Sequence, residues 1–441
     1  MKYIIKYISI FFIMIISFCI MLTLSSLIPK KFIEKKVNES AKILEEQTNQ
    51  LFIPIKSKNV YMRYDNYTDA LMVNTAYSIN TKTPFYSAIT ARKNYIEGIT
   101  KIVYPDMIGE LKSSSKHKNL TQVGDLIDTV NNDTDESFEY ARYWHGYLVF
   151  LRPLLVFFNI TQIRALLYIA LVILAIILLY LLYKRVNIQT AFIFLFGLIV
   201  CDYFFECLSL QGCPVFLITM ITSILMLSGD IKNKEILFFL VGGLTAFMDF
   251  LTTPLITLGV PLLVNITISN NNDFKTDLKN ILENCLMWSI GYLGIFLSKW
   301  VITDIIYNKK LFITAIEQLK YRTISSGKSS IKIGIIETVK RNFKVVSKEF
   351  FIFFIFTDIM ALIKYFKKDS KIIVNYKKML IYWMIGILGV IWYAILKEHS
   401  YQHYFFTYRN FLYISIAFLL GIYNGIERGK NEKINKEREN L

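Results

Sequence analysis

From residue 164 to residue 183 the chain reads RALLYIALVILAIILLYLLY, and Lys184 and Arg185 follow directly. Past Arg164 nothing charged and no Pro or Gly interrupts the run. As a helix it would rise about 30 Å, the thickness of a bilayer's hydrocarbon core. It therefore reads as a membrane-crossing helix, and the rest of the chain repeats the pattern. Nine more apolar runs fall at 7–28, 188–208, 214–228, 236–252, 255–268, 282–305, 350–366, 379–396 and 404–426. The first follows Lys2 and Lys6 and exceeds the 7–15 residues of a signal-peptide core, so it reads as an uncleaved anchor. The runs at 214 and 255 are short, and Leu-Thr-Thr-Pro-Leu around Pro254 suggests two helices meeting in a tight turn.

Composition agrees. The 441 residues are 54% hydrophobic and 19% charged, whereas soluble domains carry about 25% charged residues. The mean hydropathy is +0.41, which excludes a soluble globular enzyme. Lys and Arg number 50 against 34 Asp and Glu, a net charge of +16. These cations lie between apolar runs, where they serve topology and lipid headgroups rather than nucleic acid. Cys19, Cys201, Cys207, Cys213 and Cys285 show no CxxC and no framework spacing, and read as small packing residues.

The fold class expected is an all-α polytopic membrane protein of about 10 transmembrane helices, with a long first extracytoplasmic loop containing surface helices. Basic side chains resist translocation. Lys184 and Arg185, Lys232 and Lys234, Lys275 and Lys279, the stretch from Lys364 to Lys378, and Arg428 to Arg438 fall on one side if ten helices cross. That side is the cytoplasm, so both termini lie inside. Residues 1–28 are then a cytoplasmic start and first helix, and 29–163 an extracytoplasmic domain. Residues 164–426 form a bundle of about nine helices with an outer loop at 307–348, and 427–441 a basic cytoplasmic tail. The loop at 307–348 is rich in Lys and Arg despite lying outside. The segment 147–158, apolar but broken by Arg152 and Pro153, reads as interfacial or re-entrant rather than crossing. Residues 32–50 show apolar positions at helical intervals and read as a helix on the outer membrane surface. Residues 113–136, rich in Gly, Ser, Asn and Asp, read as a mobile loop.

Polar side chains at the edges of membrane helices are expensive and therefore informative. Tyr64-Asp65-Asn66-Tyr67-Thr68-Asp69 opens a helical stretch, so Asp65 is a capping carboxylate or a catalytic one, and Asp69 lies a turn further on. Asp202 and Glu206 share a helix face and suit a structural pairing with a cation such as Lys299. Asp249 stands beside the Pro254 turn. Arg142 and His145 lie in Ala-Arg-Tyr-Trp-His, and His399, His403 and Arg409 lie near the start of the last run. The two late histidines are four apart, which suits two ligands of a divalent metal or a pair of phosphate contacts. The aromatics at 404–408 also fit an interfacial belt.

Acids in a first outer loop with imidazole and guanidinium groups on late helices suit a substrate that is part lipid and part anion. This arrangement resembles the GT-C superfamily of integral membrane glycosyltransferases: a cytoplasmic N-terminus, one helix, a long first outer loop with acids, then many helices. The resemblance implies transfer of a sugar from a polyprenyl-phosphate donor to an envelope glycan or lipid acceptor on the outer face. It also implies Asp65 or Asp69 as the catalytic base or a metal contact, although the two stand four apart rather than adjacent. Arg142, His145, Asp249, His399, His403 and Arg409 would surround donor phosphate and acceptor. A transporter or flippase of an anionic or lipid-linked envelope precursor would use the same charges for binding alone.

Overall fold

The structure, a computed structural model, describes residues 2–49, 64–95, 122–132, 134, 136–269, 273–307, 311–313, 316, 334–365 and 371–429. Helix α1 (Lys2–Ser26) leads into a domain built from α2 (Lys30–Asn49), α3 (Asn66–Tyr77), α4 (Pro84–Thr90), β1 (Arg92–Tyr95), α5 (Gln122–Val130), β2 (Glu136–Glu139) and α6 (Leu148–Phe157). A bundle follows: α7 (Ile160–Arg185), α8 (Ile188–Val200), α9 (Cys213–Ser228), α10 (Lys234–Met248), α11 (Ile256–Ser269), α12 (Phe274–Tyr307) and α13 (Ile335–Tyr365). Strand β3 (Lys371–Val374), α14 (Tyr376–Ile395), α15 (Lys397–Gln402), α16 (Tyr404–Thr407), α17 (Phe411–Gly425) and β4 (Ile426–Gly429) complete it. The strands form two separate antiparallel pairs, β1 with β2 and β3 with β4.

Among the described residues six segments are long and apolar enough to cross a membrane: Ile4–Ser26, Ile160–Arg185, Ile188–Leu208, Phe274–Tyr307, Tyr376–Ile395 and Tyr404–Gly425. The runs expected at 214–228, 236–252 and 255–268 form shorter helices, α9 to α11. Residues 350–365 continue α13, whose first half is polar. On α7 the side chains of Ile169, Ile173, Ile176 and Tyr180 form a stripe at least half exposed. An apolar stripe of this length facing outward is what lipid, not water, covers. The inward faces of the same helix, Ile163, Leu167, Leu171, Leu178 and Leu182, join the core.

Local chemistry fixes the helix starts. Asn159 and Gln162 form a reciprocal capping box on α7. Asn187 caps α8 through Thr190, Asn375 caps α14 through Lys378, and Asp65 caps α3 through Thr68. Within the bundle α10 and α12 approach closely because Gly242 and Gly291 face each other's backbone. A Cβ at Gly242 would lie 2.1 Å from the carbonyl oxygen of Trp288, and one at Gly291 2.1 Å from that of Phe239.

The two ends of the bundle differ. One, the basic end, gathers Arg185, whose guanidinium donates to the Ser228 carbonyl at 3.3 Å, with the first turns of α12 and α14 and the β3–β4 pair. The other is capped by the α2–α6 domain. There Arg152, which the sequence presents as an interruption of an apolar stretch, is fully buried. Its guanidinium donates to the carbonyls of Ser25 at 2.9 Å, Ile28 at 2.5 Å and Ala76, closing the ends of α1 and α3. A cation belongs there because the last carbonyls of a helix are unpaired and partially negative. Helix α6 has 10 residues, about 15 Å, half of a crossing.

Two expectations change in this domain. Residues 122–130, read as part of a mobile loop, form helix α5, and 113–121 lie outside the described residues. Val123 and Leu126 are buried, and Asp125 accepts from a buried Lys93 at 2.8 Å. Helix α2 is present, but Ile33, Val37, Ala41 and Leu44 are buried against protein, not spread on a membrane surface; only Phe32 remains widely exposed. The sequence period shows an apolar face without saying what covers it. Residues 430–441, most of the basic tail, and 317–333 of the 307–348 loop also lie outside the described residues.

Candidate active site

The segment 202–213 between α8 and α9 organises the polar residues at the capped end. It leaves α8 at Asp202, which adopts a left-handed φ of 55°, runs through a 3-10 turn at Tyr203–Leu208, and enters α9 behind Pro214. Asp65 meets one face of it. The Asp65 carboxylate accepts from Thr68 N at 3.1 Å, Ser209 Oγ at 3.1 Å and Gln211 Nε2 at 2.7 Å. Its own N–H donates to the Leu208 carbonyl at 3.0 Å. Asp65 is thus both the helix cap and a half-buried acid at the seam between domain and bundle.

Asp69, one turn along α3, is fully buried and committed. Its Oδ2 accepts from Arg164 Nε at 2.9 Å and Nη2 at 2.6 Å, and its Oδ1 from Leu210 N at 2.9 Å. Burial pushes the Asp69 carboxyl up to about 6, although Arg164 and the Leu210 N–H pull the other way. The Arg164 guanidinium also donates to Gln47 Oε1 at 3.0 Å and Asn66 Oδ1 at 3.1 Å, and lies 4.5 Å from the Tyr64 ring centroid. Arg164 was legible only as the first residue of an apolar run. Arg164 sits one turn inside helix α7, which begins at Ile160, and a cation at that place needs a buried partner.

The late segment meets the same stretch through Asp202 and Glu206. Arg409 Nε lies 2.5 Å from Glu206 Oε2 in a buried ion pair, and Tyr408 donates its hydroxyl to Asp202 Oδ2 at 2.9 Å. Asp202 and Glu206 do serve a structural pairing, but with Tyr408 and Arg409 instead of Lys299. Lys299 donates to the Ile89 carbonyl and stands 5.8 Å from the Trp144 ring. The structure therefore brings Asp65, Asp69 and Arg409 to one loop.

The turn after α10 carries a second group. Asp249 accepts from Thr252 N at 3.0 Å and from Thr252 Oγ1 at 2.5 Å, closing the turn. Leu251 follows at a left-handed φ of 66°, and its carbonyl accepts from His399 Nε2 at 2.8 Å. His399 and His403 stand with ring centroids 4.7 Å apart, and His403 stacks on Phe406. Among the described residues no group of three or more His, Cys, Asp or Glu forms a metal centre. In the same stretch Glu398 Oε1 and Ser400 Oγ are buried without a hydrogen-bond partner, and a buried polar atom in that state marks where water or a ligand group completes the bonding.

His145 and Arg142 form a third group. His145 is 2% exposed, with a left-handed φ of 56°. It is ringed by Tyr140, Tyr143, Tyr147 and Phe250 and donates from Nε2 to the Tyr140 carbonyl at 2.6 Å. Burial, reinforced by the nearby Lys299 charge, pushes its imidazole down to about 3. It is a neutral packing residue. Arg142 lies against the Tyr140 ring, and its carbonyl accepts from Trp300 Nε1 at 3.0 Å; neither contact involves the carboxylates. Phe250 and Leu251, neighbours in the Asp249 turn, tie this aromatic cage to the histidine pair.

Neither a family model, nor a curated protein, nor a solved structure matches the chain.

Proposed function

We propose that the protein is a membrane-embedded glycosyltransferase of the GT-C kind, crossing the bilayer about ten times with both termini on the cytoplasmic side. It moves a sugar from a polyprenyl-phosphate donor to an envelope glycan or lipid on the far face. One observation carries this reading: an acid from the first large loop, Asp65, and a cation from the start of the last helix, Arg409, both bind the single segment 202–213. Domain and bundle are thereby held in the register that a bipartite substrate needs.

The geometry favours a division of labour. Asp69 and Arg164 neutralise each other in the interior and hold α3 to α7; Glu206 and Arg409 do the same for the last helix. Asp65, half-buried and held by neutral donors, is the acid with access to the seam, so it is the base. The acceptor hydroxyl passes its proton to the Asp65 carboxylate while its oxygen attacks C1 of the sugar. The C1–O bond to phosphate breaks, and the phosphate departs on its prenyl chain. His399 and His403, with the unpartnered Ser400 hydroxyl beside them, supply polar contacts for that phosphate.

Separate Asp65→Asn and Asp69→Asn variants test this. Asp65→Asn is expected to lower glycan transfer by about 10²- to 10⁴-fold at unchanged protein level, whereas Asp69→Asn lowers the protein level itself. Normal envelope glycan in the Asp65→Asn variant at unchanged protein level removes the catalytic assignment.

A further inference from the structure

Helix α13 (Ile335–Tyr365) changes character along its length. Lys340, Arg341, Lys344 and Lys348 fall in its first half, and from residue 350 it reads Phe-Phe-Ile-Phe-Phe-Ile-Phe. Contacts on one side fix its rotation about its own axis. Thr338 and Asn342, fully buried, donate to the carbonyls of Lys397 and Ser400, and Val346, a turn further, is buried as well. The Arg341 guanidinium lies 4.3 Å from the ring centroids of both Tyr401 and Tyr404. With that side turned to the protein, the other is exposed: Lys340, Lys344 and Lys348 at i, i+4 and i+8, then Phe351 at i+11 and Ile355 at i+15.

The order of residues along this face selects its partner. Phe351 is 68% exposed and Ile355 47%, so hydrocarbon covers this side where the apolar half lies in the bilayer. At about 1.5 Å per residue the three lysines stand about 4, 10 and 16 Å beyond Phe351. The headgroup layer of one leaflet is about 5–8 Å thick. Lys348 therefore lies within it, Lys344 reaches down to it along its aliphatic stem, and Lys340 stands in water. Glu337, the exposed acid on the same side, is further out still. Cations nearest the bilayer and the acid furthest from it is the order that a layer of phosphates favours. A soluble acidic protein, approaching from water, would meet Lys340 first.

We propose that the exposed side of α13 binds phospholipids of net negative charge, whose phosphates contact Lys348 and Lys344 while their chains lie on Phe351 and Ile355. The proposal rests on the apolar half of α13 lying in the bilayer, as ten crossings require, and not on the transfer chemistry. Through Thr338 and Asn342 the contact steadies α15, which carries His399.

The test places the full-length protein in bilayers of phosphatidylcholine or phosphatidylglycerol, with a fluorophore on a Phe351→Cys variant and bromine on the lipid chains as quencher. Phosphatidylglycerol is expected to occupy the site about fivefold more strongly than phosphatidylcholine. Salt at about 1 M, where the Debye length is about 3 Å, should abolish the preference. Lys348→Gln should remove most of it, Lys344→Gln part and Lys340→Gln almost none. All three lysines are exposed, so the variants fold. Equal quenching by the two lipids with the lysines intact overturns the proposal. So does an equal loss from the three substitutions, which would assign the cations to a soluble acidic partner. Quenching by neither lipid would show that residue 351 lies outside the bilayer, and would remove the reading on which the proposal rests.

Discussion

His145 is held neutral by its surroundings, and the consequence appears in the pH dependence of stability. Its imidazole titrates near 3 in the folded protein and near 6.5 in an unfolded chain. Below about 6.5 the unfolded chain gains a proton that the folded one refuses, so stability contributed by this residue is lost as pH falls from 6.5 toward 3. The slope reaches about 1.4 kcal/mol per pH unit. Asn tolerates the left-handed backbone at this position and does not titrate. A His145→Asn variant, though less stable at neutral pH, is expected to lose less melting temperature between pH 7 and pH 5 than the unaltered protein. Parallel curves would show that His145 is not buried in neutral form. None of this was legible in the sequence, where Ala-Arg-Tyr-Trp-His reads as a cation and an imidazole beside each other at the membrane rim. The deciding neighbours, Phe250 and Lys299, are far away along the chain. The cap at Asp65 was legible, because capping is a local property, whereas its distant partners Ser209 and Gln211 were not.

At the scale of elements, periodicity identified helices and left their partners open. The apolar runs became helices, yet the run at 188–208 breaks at Cys201 into α8 and a 3-10 turn, because Asp202 and Glu206 must turn toward Tyr408 and Arg409. Helix α5 was signalled by Val123, Leu126, Ile127 and Val130 at i, i+3, i+4 and i+7, a spacing concealed by the polar residues around it. The α10–α12 contact was not signalled, since single glycines in long apolar runs look alike. Gly291 presses on the backbone of α10, where nothing flexible can yield, while a Cβ at Gly229 meets nothing within 4 Å. Gly291→Ala is therefore expected to cost about 1–3 kcal/mol or more through overpacking, read as a lower melting temperature in detergent, with Gly229→Ala close to neutral. Equal effects of the two substitutions would mean that α10 and α12 do not approach so closely.

For the whole molecule the open question is sidedness, and the packing supplies an argument that counting cations does not. The start of α13 belongs to the cation-rich 307–348 loop, which the distribution of Lys and Arg alone would draw to the cytoplasm. In the structure Thr338 Oγ1 donates to the Lys397 carbonyl at 3.4 Å, and Asn342 Nδ2 to the Ser400 carbonyl at 3.0 Å. That ties α13 to α15 beside His399, on the end capped by the α2–α6 domain. Lys340 must then share a compartment with Lys82 of that domain, and Lys232, beside the start of α10, must lie in the other. All three are exposed, whereas Cys201, Cys207 and Cys213 are buried and Cys19 and Cys285 half-buried within helices, so background labelling is low. Single Lys82→Cys, Lys340→Cys and Lys232→Cys variants treated with a membrane-impermeant maleimide are expected to label in intact cells at the first two positions. The third should label only after permeabilisation. Labelling of Lys340→Cys together with Lys232→Cys would detach α13 from the capped end, and with it the segment that carries His399, His403 and Arg409.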